Sequence, residues 1–504
     1  MSSVNIRFID VSFSYGTASE NIISSLSVNF GGGWTGISGP NGSGKTTIAK
    51  LAAGLLVPAR GIITGLNAAS SAIYCMQETE FPPENPEEFL YTVNNRAGEL
   101  RSLLGIGNDW IERWDTLSHG ERKRFQTGIS LWNEPDLLVL DEPTNHLDAS
   151  AKKLICNALK TRHGTGLLIS HDRDLLDSLC TSTLFVRPGS VVMRPGGVSA
   201  GLEQELIEEK SRARVYESAS ENLRRIERSL RSLKKKENSR SGSLSKKNLG
   251  KHDHDGKSRI DLARLSGKDK RGSKKIKIME NRASGLKNQA SLKYFRKREV
   301  DGFTYSGEKF RGDSIASIPA GRIETGGAGW MDIPGIIVLP SDRIGITGDN
   351  GTGKSTLIRH IRSGLKLPDS KAVYISQEIS SNDWRCAEAE IRNLPGIILG
   401  ELLSAVYRLG SEPERILQTP VPSPGEVRKL ILAMGLLKKP ALIMMDEPTN
   451  HMDMQSVSCL EAALSDFDGA VIIVSHDRRF IQNTTSIEWN LTRRNGCSTL
   501  KIIK

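Results

Sequence analysis

The chain has 504 residues, enough for two to four domains, and carries a formal net charge of +11 with an isoelectric point near 9.3, which makes a polyanionic partner worth testing. Its six cysteines follow no disulfide-framework or zinc-ligand spacing, which argues against a small disulfide-rich secreted protein and favours a reducing cytosol. No apolar run approaches the roughly 18–20 residues of a membrane helix, and the N-terminal residues alternate like a strand instead of forming a signal peptide. We therefore expect a cytoplasmic protein without a membrane domain of its own.

Three motifs occur twice, in the same order and at nearly the same interval. The lysines of the first motif, Lys45 and Lys354, are 309 residues apart, and the other two motifs recur at 305. Such a repeat predicts a duplicated domain. The predicted boundaries are residues 1–198 for the first copy of the domain, 199–300 for a linker and 301–504 for the second copy.

In each half, a glycine-rich loop of the form G-x-x-x-x-G-K-[ST] follows a short apolar strand and precedes a helix. Such a loop wraps phosphates with its backbone N–H groups, and the helix N-terminus adds positive potential. Lys45 and Lys354 are predicted to reach the β- and γ-phosphates of ATP, and Thr46 and Ser355 to bind Mg²⁺. The predicted nucleotide contacts are Gly39, Asn41, Gly42, Gly44, Lys45, Thr46 and Thr47 in the first half and Gly348, Asn350, Gly351, Gly353, Lys354, Ser355 and Thr356 in the second.

An Asp-Glu pair directly follows a buried-type strand in each half, at Asp141-Glu142 and Asp446-Glu447. Acidic pairs usually lie on a solvated face, but their position after apolar strands favours a catalytic role. We predict that the aspartates hold the Mg²⁺ shell and that the glutamates polarise the attacking water.

A histidine follows a later apolar strand in each half, within Ser-His-Asp-Arg, and a glutamine lies between the first two motifs. A lone histidine in this position is more often a core residue, but its recurrence about 30 residues after the Asp-Glu pair favours a γ-phosphate contact. We predict this contact for His171 and His476, and Mg²⁺ and water positioning for Gln77 and Gln377.

The predicted linker carries the positive charge of the chain. Residues 201–300 contain 29 Lys and Arg against 14 Asp and Glu, a net of +15, so the two repeats together carry about −4. Apolar residues at helical spacing predict two helices paired as an antiparallel hairpin with its tip at 240–260, although a charged flexible tether is the alternative. The seam residues are Leu223, Ile226, Leu230 and Leu233, then Met279, Ala283, Leu286 and Ala290.

The sequences Leu117-Ser-His-Gly-Glu121 and Pro422-Ser-Pro-Gly-Glu426 resemble the signature of ATP-binding-cassette (ABC) ATPases. His119, Pro422 and Pro424 depart from that signature. The resemblance implies a monomer whose cassettes sandwich two ATP molecules head to tail. One site would combine Lys45, Asp141 and Glu142 with Ser423, Gly425 and Glu426; the other would combine Lys354, Asp446 and Glu447 with Ser118, Gly120 and Glu121.

The resemblance also implies that Tyr15 stacks on adenine in the first cassette; Trp330 is the candidate aromatic in the second. The expected fold is α/β, with two ABC-type P-loop nucleotide-binding domains joined by a long α-helical hairpin.

The duplicated Asp-Glu-Pro-Thr-Asn-His motif together with Ser-His-Asp-Arg resembles the F subfamily of ABC ATPases, which act on ribosomes. Only 75–78 residues separate each phosphate loop from its signature. This spacing leaves no room for the extra arm found in housekeeping translation factors of this family. In lacking this arm and having a long linker, the chain resembles the branch of the subfamily that protects ribosomes from lincosamides, pleuromutilins and streptogramin A. The implied partner is the ribosome, and the basic linker would contact its rRNA and tRNA.

Three other functions remain open on sequence grounds. The chain would be a general translation factor of the same subfamily if it has no role in drug resistance. A drug-exporter ATPase with a separate membrane partner would not need a linker of charge +15. A DNA-repair or structural-maintenance ATPase would carry its long coiled coil inside one cassette, between phosphate loop and signature, where this chain has no room for one.

Overall fold

A computed structural model covers the chain, and its described residues are 4–16, 21–66, 70–145, 147–187, 189–243, 268–292, 310, 312–325, 329–377, 379–411, 413, 416, 422–450, 452–494 and 497–503. They fall into two compact units. The first contains Met1–Gly201 and Glu299–Lys504, and therefore both repeats, and the second is Leu202–Arg298.

The first repeat alternates strands and helices. Its strands are β1 (Ile6–Phe13), β2 (Ile23–Phe30), β3 (Gly33–Ser38), β4 (Arg60–Thr64), β5 (Ala72–Cys75), β6 (Leu137–Asp141), β7 (Thr165–Ile169), β8 (Cys180–Arg187) and β9 (Ser190–Pro195). Its helices are α1 (Lys45–Ala52), α2 (Pro86–Tyr91), α3 (Asn95–Leu104), α4 (His119–Trp132), α5 (Ala149–Lys160) and α6 (Arg173–Leu179).

The linker unit consists of two helices, α7 (Val198–Ser243) and α8 (Lys268–Leu292). Helix α7 runs into the segment predicted as a tip from residue 240, since no proline interrupts it there; residues 244–267 lie outside the described residues. The predicted seam of α7 and Met279 and Ala283 of α8 are half-buried between exposed neighbours. A 2.6 Å ion pair joins Lys234 to Glu280. Antiparallel pairing along the whole linker stays a prediction.

The second repeat follows the same plan as the first. Its strands are β10 (Ala316–Ile318), β11 (Gly321–Thr325), β12 (Gly329–Ile333), β13 (Ile336–Val338), β14 (Arg343–Gly348), β15 (Ala372–Ile375), β16 (Leu442–Asp446), β17 (Ala470–Val474), β18 (Ile487–Arg494) and β19 (Cys497–Ile503). Its helices are α9 (Lys354–Ser363), α10 (Ser381–Arg392), α11 (Gly396–Arg408), α12 (Pro424–Leu437), α13 (Met454–Ser465) and α14 (Arg478–Thr484).

Each repeat is built on a mainly parallel sheet. In the first, the order is β5-β6-β7-β3-β8-β9, and in the second the core order β15-β16-β17-β14-β18 is the same. The strands that precede each phosphate loop, β3 and β14, lie in the interior of these sheets. Because the carboxyl ends of parallel strands meet at one edge, the loops after β3 and β6 lie together, as do those after β14 and β16. The α/β fold expected from the sequence is confirmed.

Apolar residues pack on both faces of these sheets. Strands β6, β7, β16 and β17 are buried at every position, as expected of central parallel strands. In the first repeat, a helical layer carrying the signature is centred on Phe125, whose ring contacts Phe89, Trp110 and Trp114 at centroid distances of 5.9–6.3 Å. These contacts fix α4, and hence the first signature, within the helical layer.

Candidate active sites

Each phosphate loop follows a buried strand and opens onto a helix that begins at its lysine. The last glycine before the helix, Gly44 or Gly353, has φ of 93° or 92°, a left-handed conformation that glycine adopts without strain. A Cβ on Gly39 would lie 2.1 Å from the carbonyl oxygen of Val186, so a glycine is required there as well. The glycine-rich sequence is therefore needed to form the loop itself.

The loop lysines point back into their own loops. Lys45 Nζ donates to the carbonyl oxygens of Gly39 and Pro40 at 2.8 and 3.0 Å, and Lys354 Nζ donates to those of Gly348 and Asp349 at 2.8 and 2.9 Å. Burial lowers the pKa of both lysines. A triphosphate within either loop would meet a desolvated ammonium group, where charge attraction is stronger than in water.

A hydroxyl and a carboxylate come together at each predicted Mg²⁺ position. Thr46 Oγ1 donates to Asp141 Oδ2 at 3.0 Å, and the hydroxyl of Ser355 donates to Asp446. Oxygen ligands of this kind fit Mg²⁺, which takes one or two protein groups and completes its shell with phosphate oxygens and water. The Tyr74 hydroxyl also donates to Asp141, at 2.6 Å, a contact that the sequence motifs do not predict.

The two glutamates are buried and have strained backbones. Glu142 and Glu447 both have φ of 48°, which is uncommon for a residue with a side chain and clusters at functional sites. Burial, reinforced by the neighbouring Asp141, raises the pKa of Glu142 to about 8. Burial likewise raises the pKa of Glu447 to about 7, against the opposing charge of Lys354. Such values suit a group that accepts a proton near neutral pH.

A histidine holds each glutamate. The backbone N–H of His476 donates to Glu447 Oε2 at 3.4 Å, and its ring Nε2 lies 3.5 Å from Oε1. The same ring nitrogen lies 2.9 Å from Asn350 Oδ1 and 3.2 Å from Lys354 Nζ. Burial and the charge of Lys354 lower the pKa of His476 to about 3, so the imidazole is neutral at physiological pH. It therefore serves as a hydrogen-bonding group between loop and glutamate, not as a cation.

The first site draws residues from both repeats. A cavity of about 480 Å³ is lined by Asn41, Gly42, Gly44, Lys45, Thr46, Thr47, Gln77, Asp141, Glu142 and His171 of the first repeat and by Ser423, Pro424 and Gly425 of the second. The structure thus brings the second signature to the first phosphate loop, in the geometry expected of a head-to-tail sandwich.

The second site is larger. Its cavity, of about 850 Å³, is lined by Asn350, Gly351, Gly353, Lys354, Ser355, Thr356, Gln377, Asp446, Glu447 and His476 together with residues of α5 and α6 from the first repeat. Ser118 and Gly120 are not part of this lining. Two pairings of a signature with the phosphate loop of the other repeat were predicted. The structure therefore shows the pairing of the second signature with the first loop, in the first cavity.

An aspartate of each repeat reaches the phosphate loop of the other. The backbone N–H of Asn41 donates to Asp453 Oδ2 at 3.5 Å, and that of Asn350 donates to Asp148 Oδ2 at 3.4 Å. Both aspartates end the repeated Asp-Glu-Pro motif and cap the next helix. The sequence motifs did not predict this contact.

The two signatures adopt the same backbone conformation despite their different sequences. Ser118 (φ −62°, ψ 154°) and Ser423 (φ −63°, ψ 152°) each cap a helix and share a reciprocal capping box, with Glu121 and Glu426 respectively. Pro424 occupies the first helical position, which tolerates proline because its N–H would have no partner within the helix. The two prolines therefore leave the second signature in the standard geometry.

The predicted adenine-stacking aromatics lie outside both cavity linings. Tyr15 is 45% exposed, packs edge-on against Phe13 and shares a 3.3 Å hydrogen bond with Thr47 Oγ1. Trp330 is 48% exposed on β12. The first lining instead contains Ile22, and the second contains Thr325. Base stacking by Tyr15 stays a prediction.

Sequence reasoning missed two buried cations at equivalent positions of the signature helices. Lys123 Nζ donates to the carbonyl oxygens of Met76 and Gln77 at 2.6 and 3.3 Å. Arg428 donates to the carbonyl oxygen of Gln377 at 2.7 Å and to those of Glu447, Pro448 and Asn450 at 2.7–3.3 Å. Each cation ties its signature helix to the predicted water-positioning glutamine, and no spacing pattern would have revealed it.

Comparison with known proteins agrees with this geometry. The family model described as "ABC transporter" matches residues 24–145. "Probable ATP-binding protein YheS" of Escherichia coli K12 is 29% identical over 416 residues, which cover 78% of this chain and 58% of that protein, so the match spans little over half of that relative's length. "Ribosome protection protein VmlR" of Bacillus subtilis is 26% identical over 466 residues, covering 90% of this chain and 80% of that protein.

The solved structure "RNase-L Inhibitor" aligns with 97% of this chain and over 89% of its own length, with a TM-score of 0.61. The sequence identity is 16%, so the similarity concerns the fold alone. Within the described residues, no helix is long and apolar enough to cross a membrane. The first repeat is thus an ABC ATPase domain, and the chain has the P-loop fold of tandem ABC domains with a helical insertion.

Proposed function

We propose that the chain is an ATPase of the F subfamily that binds and hydrolyses two ATP molecules between its cassettes. The observation that carries this proposal is the first cavity, where the phosphate loop, the Asp-Glu pair, His171 and the opposing Ser423–Gly425 line one space. Mg²⁺, held by Thr46 and Asp141 in one site and by Ser355 and Asp446 in the other, would supply positive charge for the β- and γ-phosphates.

In the first site, Lys45 and Ser423 would hold the γ-phosphate from opposite sides, and Gln77 would orient a water molecule. The water oxygen attacks the γ-phosphorus, and the bond from that phosphorus to the bridging oxygen breaks, leaving ADP and inorganic phosphate. Glu142 takes the water proton, which its raised pKa allows it to hold, and later releases it to solvent. His171 keeps the carboxylate oriented through its backbone N–H.

We further propose that the cytoplasmic target is the ribosome and that the chain protects it from drugs of the peptidyl-transferase region. The linker supports this, because its net charge of +15 gives it the attraction to phosphates that RNA binding requires. The likeness to "Ribosome protection protein VmlR", which spans 90% of this chain, supports the same function. Contact with tRNA would follow from a linker that reaches the peptidyl-transferase region.

Sedimentation of the tagged protein with purified ribosomes tests the target. With ATP and the double variant Glu142→Gln/Glu447→Gln, which is expected to bind without turnover, the protein should travel with ribosomes; with ADP it should remain near the top of the gradient. A protein that fractionates with membranes and not with ribosomes would contradict the proposal and favour an exporter ATPase. A drug-susceptibility panel then separates a protection factor from a general translation factor.

A further inference from the structure

The helix that brings the second signature to the first cavity carries a buried lysine on another face. Lys429, in α12, is 5% exposed, and its Nζ donates to Ser411 Oγ at 2.9 Å and also to Ser456 Oγ. A buried ammonium group is costly unless hydrogen bonds and a countercharge compensate for its lost hydration. We therefore expect a negatively charged group near Lys429 that compensates for the buried charge.

One countercharge is an aspartate that reaches the other cassette. Ser456 N–H donates to Asp453 Oδ1 at 2.8 Å, and Asp453 Oδ2 accepts the backbone N–H of Asn41, in the first phosphate loop, at 3.5 Å. Burial alone would raise the pKa of Asp453, but the charge of Lys429 and hydrogen bonds from Ser456 bring it below its ordinary value. The aspartate is thus held ionised where it accepts that N–H.

The first repeat has the corresponding positions but not the corresponding link. Arg124 stands where the second repeat has Lys429, and Ala151 stands where it has Ser456. Arg124 instead donates to the carbonyl oxygens of Leu104 and Gly105 at 2.7 and 3.3 Å, and its guanidinium lies 4.9 Å from the centre of the Trp110 ring. Since Ala151 has no hydroxyl, the first repeat lacks the connection from signature helix through this serine to aspartate.

We propose that Lys429 is a positioning residue for the first ATP site. It joins, through Ser456, the two groups that the second cassette contributes there, Asp453 at the phosphate loop and Ser423 at the start of the same helix α12. The proposal rests on the proposed ATPase function and adds to it a reason why the two sites are unequal. Displacing such groups by about 1 Å can cost about 100-fold in rate, so the link should control turnover at the first site.

The test isolates the first site by carrying Glu447→Gln throughout. In that background Lys429→Met and Ser456→Ala should lower kcat at the first site about 10- to 100-fold, with a smaller change in KM for ATP. Lys429→Arg should restore part of the loss, since an arginine also reaches a serine hydroxyl. The control Arg124→Met, at the matched position, should leave kcat unchanged. Circular dichroism and thermal melting confirm that each variant folds.

The outcomes separate the two proposals. If the unaltered chain releases no phosphate from ATP, the proposed ATPase function fails, and if the double glutamate variant retains turnover, the assignment of the two glutamates fails. If Glu447→Gln alone abolishes turnover, the first site does not work by itself, and the Ser456→Ala comparison is made in the otherwise unaltered chain. If Glu447→Gln retains turnover and Ser456→Ala has the same kcat as its parent, the link through Lys429 is wrong while the ATPase assignment stands. Ser456→Ala keeps the buried lysine and its bond to Ser411, so this arm decides the matter even if Lys429→Met does not fold.

Discussion

The backbone N–H of His171 donates to Glu142 Oε2 at 3.3 Å, while the ring Nε2 of the same histidine lies 3.5 Å from Oε1 of that glutamate. One residue thus orients Oε2 of the proposed base and lies beside its Oε1. Within the described residues, Oε1 of Glu142 has no hydrogen-bond donor, which leaves it available to a water molecule. A buried acceptor without a donor is rare in proteins and marks a candidate for catalysis.

The double variant Glu142→Gln/Glu447→Gln should bind ATP and fail to hydrolyse it. A glutamine keeps the shape of the side chain but cannot take the water proton, and losing a positioned base costs about 10²–10⁴ in rate. The measurements are phosphate release and binding of a fluorescent ATP analogue. The single variants serve as controls, since each should keep one working site. Wild-type phosphate release by the double variant would contradict the assignment of both glutamates.

The contribution of Glu142 to the stability of the nucleotide-free protein should fall as pH rises from about 4.5 to about 8. In the folded state Glu142 keeps its proton up to about pH 8, whereas the unfolded carboxyl loses it near its ordinary pKa of 4.5. Between these values the folded state binds more protons than the unfolded state, so raising the pH favours unfolding. Glu142→Gln should therefore raise the melting temperature by about 2 °C or more at pH 8 and change it little at pH 4.5.

Melting curves of the wild type and Glu142→Gln at both pH values provide the measurement. His171→Gln is a useful comparison because the backbone N–H that orients Glu142 remains. An equal effect of Glu142→Gln at the two pH values would mean that folding does not raise the pKa of this carboxyl.

Replacing Arg428 should harm both folding and turnover at the second site. Arg428→Met would leave the carbonyl oxygens of Glu447, Pro448, Asn450 and Gln377 without this donor, and unpaired buried polar groups cost about 1–3 kcal/mol each. We expect a loss of at least about 3 kcal/mol in unfolding free energy, measured by urea denaturation. Arg428→Lys should lose less, as lysine serves the equivalent position in the first repeat. Unchanged stability in Arg428→Met would contradict this account.

The phosphate loops, the Asp-Glu pairs and the strands before them could be predicted because each is a contiguous motif whose residue types are set by local requirements. Gly39 must be a glycine for steric reasons alone, and Asp141 ends a strand that is buried at every position. The trans position of Ser423 was predicted too, but only through a family resemblance, since no local pattern says which residues meet across a fold.

The rest depended on tertiary packing. Lys123 and Arg428 resemble ordinary charged helix residues in the sequence, and only the fold shows that they are buried against backbone carbonyls. Pro424 departs from the signature, yet its place at the first turn of a helix makes it harmless. The absence of Ser118 and Gly120 from the second lining depends on the arrangement of the cassettes, which motifs do not encode.

The exposed lysines of α8 should contribute to ribosome binding through salt-dependent attraction. Lys274, Lys275 and Lys277 are exposed in the linker unit, and each phosphate that the protein no longer neutralises should reduce the salt slope by roughly 0.7–0.9. Their joint change to glutamine should weaken binding several-fold at low salt and leave basal ATPase unchanged. The matched control changes Lys366, Lys439 and Lys501 on the second cassette. Equal effects of the two triple variants on co-sedimentation would argue against an RNA-facing linker.

Shortening the predicted tip should separate ribosome binding from drug protection. Helix α7 has 46 residues and therefore extends about 69 Å, long enough to bridge from a seat on the ribosome to the peptidyl-transferase region. Replacing Ser241–Asn248 by a four-residue Gly/Ser turn removes the end of α7 and part of the segment at 244–267 that lies outside the described residues. ATPase and ribosome binding should persist, because the cassettes and the remaining linker charge are intact.

Resistance to lincosamides or pleuromutilins should nevertheless be lost, since protection needs only a change in the drug's relative affinity for two ribosome states, about 1.4 kcal/mol for each tenfold. Minimum inhibitory concentrations of a susceptible strain that expresses each variant give the measurement.

An eight-residue Gly/Ser replacement of the same segment is the control, because it keeps the length and removes only Lys246, Lys247 and the neighbouring side chains. If this control protects and the four-residue turn does not, reach decides protection; if neither protects, the tip side chains are required. Resistance that survives both changes would mean that protection arises elsewhere on the linker. If the unaltered chain protects against no such drug, it is a ribosome-bound ATPase of another kind.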